Sequence, residues 1–248
     1  MRRFSGLSLG LALLAAPIGV EAQGVYTGVP PTMDYFEFVN GGDQPGTFGV
    51  MVGPYVGNFL NDGATGNFSI YCVDYLHYAS NATGKVNVTQ LADAAGALDN
   101  TRLGSNLPVG DAYGKYSRAA FYAALFDVTA DLDPDDRKVV WSGIHAAIWS
   151  VTSGVLKGSG DTADIRDDLL AFTDAQYDEI GAAIGFDASE WYVITRVDFE
   201  DGYRESGDYK GQEFLMRRVP EPGTLLLMLT GFGLLLVASR RRNLLESL

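Results

Sequence analysis

The sequence predicts a single α+β domain in which strands open and close the chain around an inserted helical segment, giving a β-sandwich or barrel-like sheet. Three observations carry this. Residues from about 24 to 90 are rich in glycine and alternate apolar with polar side chains; residues from about 90 to 186 repeat at helical spacing; alternation returns from Trp191 onward. A secretory leader over residues 1–22 and an apolar C-terminal helix over residues 224–239 flank the domain, which leaves residues 23–218 as the folded body, long enough for one substantial core.

The first strands are expected at Asp34–Val39, Thr47–Val52 and Phe68–Tyr78, where β-branched and aromatic residues recur at every second position. Helices follow at Leu91–Leu98, Ser117–Thr129 and Pro134–Thr152, then as an amphipathic pair from Ala163 to Ile184 broken near Thr173. The third has the clearest start: Asp133 as cap, Pro134 at its first position and acids in its first turn. Its buried stripe is Val140, Ile144, Ala147, Ile148 and Val151, with His145 and Trp149 one turn apart beside it. Trp191–Glu200 and Gln212–Arg217 read as the closing strands, with a polar hairpin-like turn over 202–211. This order implies that first and last strands lie side by side. The aromatics Tyr35, Phe36, Phe38, Tyr55 and Phe59 read as sheet core, with a sugar-binding face as the other reading.

Both ends read as addresses. Arg2-Arg3, an apolar core Leu7–Leu14 and the small-x-small site Val20-Glu21-Ala22 form a secretory signal cut before Gln23. At the other end Val219-Pro220-Glu221-Pro222-Gly223 precedes an apolar run from Thr224 to Ser239 and the cluster Arg240-Arg241-Arg242. At 1.5 Å per helical residue that run reaches roughly 24 Å, short of the ~30 Å hydrocarbon core, so it is a marginal membrane anchor. The arginines hold its end on the cytoplasmic side. A Pro-Glu-Pro triplet, one hydrophobic segment and an arginine cluster in that order resemble the PEP-CTERM sorting signal of Gram-negative bacteria that make exopolysaccharide. The resemblance implies transient anchoring in the inner membrane, processing near the triplet by an exosortase-type enzyme, and a destination at the cell surface or in the extracellular matrix. A permanent single-span anchor without processing is the alternative.

The ends hold five of the 18 basic and three of the 31 acidic residues, which leaves the body near −15. A surface that acidic disfavours nucleic acid and anionic membrane. One cysteine cannot make an intramolecular disulfide, and an unpaired thiol in an exported chain needs a reason. Cys72 lies in a β-rich stretch in which Phe68, Ile70, Cys72 and Asp74 fall on one face. The plain alternative is a cysteine acting as a small buried apolar residue.

Three segments, Tyr71-Cys72-Val73-Asp74, Ile144-His145-Ala146-Ala147-Ile148-Trp149 and Gln212-Glu213-Phe214-Leu215-Met216, together resemble the bacterial thioester domains of surface adhesins. In that family an early strand supplies a thiol from an aromatic-Cys-hydrophobic motif. A late strand supplies a carboxamide from Gln-x-x-hydrophobic-hydrophobic, and a Thr-Gln-x-x-hydrophobic-Trp helix lies beside them. Gln212 is 140 residues after Cys72, a separation similar to the family's. The chain departs where Ile144 and His145 stand in place of threonine and glutamine, and where Gly211 replaces a hydrophobic residue. The resemblance implies a Cys72–Gln212 thioester that acylates an amine or hydroxyl acceptor on a cell surface or polysaccharide, without cofactor or turnover. His145, which glutamine cannot mimic as a base, is expected either to steer the site toward hydroxyl acceptors or only to cap a buried polar group. A decayed, unreactive domain that binds matrix carbohydrate or protein non-covalently is the other function class.

Other constellations are weaker. Cys72, His145 and Asp74 can be drawn as a hydrolase triad, but no nucleophile motif surrounds the cysteine, so no catalytic residue is assigned. Asp131, Asp133, Asp135 and Asp136 have calcium-like spacing, yet Asp136 and Ser142 stand where the loop needs glycine and glutamate; helix capping explains these acids, and no metal is expected. His77 has no second histidine near it in sequence, and Asn67, Asn81 and Asn87 begin sequons of little weight.

Overall fold

Eight strands occur in the residues that the computed structural model describes, namely 26, 32–42, 44–61, 67–76, 83–91, 97–197 and 212–218. They are β1 (Met33–Asn40), β2 (Gln44–Pro45), β3 (Met51–Val52), β4 (Tyr55–Phe59), β5 (Phe68–Cys72), β6 (Gly84–Gln90), β7 (Trp191–Arg196) and β8 (Phe214–Arg217). Six of them close into an antiparallel barrel in the order β1-β4-β5-β8-β7-β6, while β2 and β3 form a separate hairpin. Between β6 and β7 come a 3-10 turn (Ala97–Asn100) and four α-helices: α1 (Val109–Val128), α2 (Pro134–Ser153), α3 (Asp161–Leu170) and α4 (Asp174–Ile184).

Alternation explains the barrel. Phe36 and Phe38 of β1, Tyr55 and Phe59 of β4, Phe68 and Ile70 of β5, and Val86 and Val88 of β6 are buried, with less buried residues between them on β1, β4 and β6. Gly57 is required where it stands, because an added Cβ would run into the Phe36 ring. Phe214 enters this aromatic cluster from β8, its ring centroid 5.6 Å from Phe38 and 6.2 Å from both Phe36 and Tyr55. β7 is buried on both faces from Trp191 to Thr195, and Trp191 packs against Tyr71 of β5 and Phe186 just after α4. Only Tyr35 of the five aromatics assigned to the core points outward, at 47% exposure.

Local chemistry sets the helix ends. Asp133 Oδ1 accepts from the backbone N–H groups of Asp135 and Asp136 at 3.2 and 3.1 Å, and those donors hold its carboxyl below the usual range. Gly154 stops α2 in the left-handed conformation. Thr173 and Gln176 form a capping box that separates α3 from α4.

Several expectations change. Of Thr47–Val52 only Met51–Val52 is strand, because residues 47–50 make the turn of the β2–β3 hairpin. The strand from Phe68 stops at Cys72, after which Asp74 turns its carboxylate back onto the N–H of Leu76. The strand expected from Trp191 runs to Arg196 among the described residues, with 198–200 outside them, and the last strand begins at Phe214 rather than Gln212. β4 and β6, where glycine and short polar residues dilute the pattern, complete the barrel. β8 does not lie beside β1: it inserts between β5 and β7.

The chain divides into two units, Met1–Arg218 and Val219–Leu248. The leader, His77 and the sorting-signal residues Val219, Pro220, Glu221, Pro222, Arg240, Arg241 and Arg242 lie outside the described residues. Among the described residues no helix is long and apolar enough to cross a membrane.

Because Phe214 joins three rings from two other strands, Phe214→Ala is expected to cost about 3–5 kcal/mol in urea unfolding. A loss below about 1 kcal/mol would mean that the barrel does not depend on this ring.

Candidate functional site

Cys72 is the last residue of β5 and Gln212 precedes β8 by two residues. The register Cys72↔Phe214, extended by Val73 N–H donating to the Glu213 carbonyl at 3.1 Å, fixes how the two strand ends meet. Directly opposed residues in an antiparallel pair share a face, and so do residues two apart, so Gln212 falls on the face of Cys72.

The side chains touch. Gln212 Nε2 lies 2.6 Å from Cys72 Sγ, inside even the 2.7–3.2 Å common for N–H···O bonds to the smaller oxygen. The carboxamide carbon, one ~1.33 Å bond farther on, is therefore within about 4 Å of the sulfur. The Asp74 carbonyl oxygen accepts from both groups, from Gln212 Nε2 at 3.1 Å and from the thiol at 3.4 Å. Gln212 Oε1 is buried with no hydrogen-bond partner among the described residues.

Cys72 is fully buried, and burial pushes its thiol up to about 12 against the smaller pull of the Asp74 carbonyl, Trp149 and Gln212. The Trp149 indole N–H is near enough to exert that pull but makes no well-aligned hydrogen bond among the described residues. A neutral, enclosed thiol is a poor target for oxidants.

α2 forms one wall. Thr152 Oγ1 donates to the Val73 carbonyl at 2.5 Å and Ser153 Oγ accepts from Tyr75 N–H at 3.4 Å, which ties the end of the helix to the segment after Cys72. His145 stacks on Trp149 with centroids 4.9 Å apart and 14° between planes, edged by Tyr55 and tilted against Phe126. Its Nδ1 accepts from Gly53 N–H at 3.1 Å, so the neutral ring carries its proton on Nε2. The β2–β3 hairpin that supplies Gly53 is itself anchored on the helices, by Thr47 N–H to Ser142 Oγ at 3.0 Å and Thr47 Oγ1 to Thr162 Oγ1 at 2.9 Å.

His145 Nδ1 thus caps the Gly53 N–H, and its lone pair is engaged there. The Asp74 carboxylate accepts from Leu76 N–H at 3.1 Å and stands 3.4 Å from Arg102 Nε. Among the described residues no group of three or more His, Cys, Asp and Glu side chains stands together as a metal site.

Sequence reasoning missed the charged support behind the pair. Glu213 is fully buried, and burial raises its carboxyl above the usual range against the pull of Arg102. Its Oε1 accepts from Arg102 N–H at 2.6 Å and Thr195 Oγ1 at 2.8 Å, and its Oε2 accepts from Tyr116 OH at 2.6 Å. One signal was available: an acid interrupting an otherwise apolar closing strand. Arg102, in a loop after an expected helix, carries no such mark.

No family model matches the chain, and no curated protein matches its sequence. Among solved structures it is similar to the N-terminal domain of the Streptococcus pyogenes pilus tip adhesin Cpa, at 12% identity over 81% of this chain and 100% of that chain, with a TM-score of 0.37.

Burial lowers His145 from 6.5 to about 3, so the unfolded chain binds this proton first as pH falls. The histidine's contribution to stability is complete above pH 6.5 and is lost between pH 6.5 and about 3, at up to about 1.4 kcal/mol per pH unit. We expect His145→Asn, which keeps an acceptor for Gly53, to flatten the stability profile in that window relative to the wild type. Parallel profiles from urea unfolding at stepped pH would refute a buried neutral imidazole.

Proposed function

We propose that this chain is an exported surface protein that attaches itself once, covalently, to an amine on its target through an internal Cys72–Gln212 thioester. The observation that carries the reading is the 2.6 Å contact between thiol sulfur and carboxamide nitrogen, held by a shared carbonyl acceptor. Held reactants convert a slow encounter into an intramolecular step. The Cys72 sulfur attacks the Gln212 carboxamide carbon; the thiol proton passes to Nε2, which the sulfur already touches; the C–N bond breaks and ammonia leaves.

The product stores acylating power because a thiolate leaves far more readily than an amide nitrogen. A primary amine then attacks the same carbon, keeps it as an amide and returns the proton to Cys72. Amines need no help to attack. Hydroxyls need a base, and His145, the imidazole among the described residues of the site, has its free lone pair engaged.

The leader and the sorting signal support delivery of the body outside the inner membrane of a Gram-negative cell, with release from the membrane by an exosortase-type enzyme. A non-covalent matrix protein is the second reading, and the hydrogen bonds favour it in one respect: with thiol and carboxamide intact, both donate to Asp74 and fill the core without any bond.

Intact mass separates the two. We expect the purified exported chain to be lighter by one ammonia than its sequence, Cys72→Ala and Gln212→Ala chains to have full mass, and methylamine to add its own mass to the wild type while freeing a thiol. Thiol titration must follow denaturation, because a buried thiol raised to about 12 stays silent in the native fold. A wild type of full mass whose thiol appears on denaturation alone would establish the non-covalent protein.

A further inference from the structure

We infer that Arg102 is a positioning residue for this bond, gripping with one guanidinium the carboxylates of Asp74 and Glu213, which flank Cys72 and Gln212, and so pressing thiol and carboxamide together; the inference rests on the thioester reading. Arg102 Nε stands 3.4 Å from Asp74 Oδ2 and 3.7 Å from Glu213 Oε2. The two carboxylate side chains are 0% and 1% exposed and the arginine side chain 13%. Nε makes no well-aligned hydrogen bond among the described residues, so the grip is Coulombic, in a setting of weak screening.

The link to the reacting atoms is short. Asp74 is held through its side chain by Arg102 and by Leu76 N–H, and its own carbonyl is the acceptor that holds Gln212 Nε2. Glu213 is the residue next to Gln212, and the backbone N–H of Arg102 donates to it as well. Without the cation neither buried acid would have that charge to offset its burial, and the link that Arg102 makes between the Asp74 turn and the residue before β8 would be lost.

The loop that carries Arg102 is built to hold still. Thr101 Oγ1 donates to the Leu98 carbonyl at 2.7 Å and accepts from Gly104 N–H at 3.1 Å. Leu103 N–H donates to Tyr116 OH at 3.1 Å, the same hydroxyl that donates to Glu213. A Cβ added at Gly104 would collide with the Leu98 carbonyl, so the loop packs its backbone closely there.

The test follows ammonia loss by intact mass at intervals after cell-free synthesis of the full chain, with Tm measured beside it. We expect Arg102→Met to slow bond formation roughly 10- to 100-fold, the scale of a misplacement of about 1 Å, and Arg102→Lys to recover part of the rate. Asp74→Asn, which keeps the carbonyl and the side-chain shape, is expected to slow it too and serves if Arg102→Met does not fold. Leu169→Ala, in the core between helices, supplies a comparable loss of Tm and is expected to form the bond at the wild-type rate. Equal rates in wild type, Arg102→Met and Asp74→Asn overturn the clamp and leave the thioester standing. Equal slowing in Leu169→Ala reduces Arg102 to a fold stabiliser and also overturns it. A wild type that never loses ammonia overturns clamp and thioester together.

Discussion

The register between β5 and β8 is the constraint on which the site depends. With Cys72 opposite Phe214, the aromatic ring fills the barrel and the residue two before it lands against the thiol. A slip of one residue would turn Phe214 outward and Gln212 to the wrong face in the same step, so register couples core packing to the contact of thiol and carboxamide. The 3.1 Å bond from Val73 N–H to the Glu213 carbonyl carries the pairing one residue past the formal end of β5, up to the pair itself.

Around that register the molecule places charge where a barrel end would ordinarily place leucine. Burying Asp74 and Glu213 is costly, and their attraction to one arginine offsets that cost only with good geometry and further hydrogen bonds, which Tyr116, Thr195 and Leu76 supply. An apolar substitute at these positions could serve the fold. It would give up the directional hold on a turn whose carbonyl faces the carboxamide.

Much of this was legible in the residues. β1 alternates in burial from Asp34 to Val39, and α2 announces its start with Asp133-Pro134 and its stop with Gly154, so both were visible. Cys72, Gln212 and Asp74 were singled out, and the three do meet. What was not visible depends on long-range pairing. β4 and β6 do alternate in burial, but Gly57, Asn58, Gly84 and Asn87 lower their strand propensity, and pairing with neighbours in the closed barrel completes them as strands. Where β8 inserts is a property of the sheet and not of its own four residues. Arg102 lies 28 residues from Asp74 and 111 from Glu213 in sequence, and no local pattern joins them. Histidine beside a cysteine invited a chemical role, whereas the N–H of Gly53 in a distant hairpin decided which nitrogen carries the proton.

Gln212 stands six residues before Arg218, the last described residue of the body, and most of that interval is β8, paired on one side with β5 and on the other with β7. A load entering at the Gln212 side chain and leaving through the C-terminus would run along this one strand and bypass the helices and most of the barrel. It would act parallel to β8, so both ladders would resist in shear, all their hydrogen bonds sharing the strain at once instead of opening one after another. If the proposed bond forms, the domain would be a housing around a short tether, and its thermodynamic stability need not set the force at which a grip through Gln212 would fail.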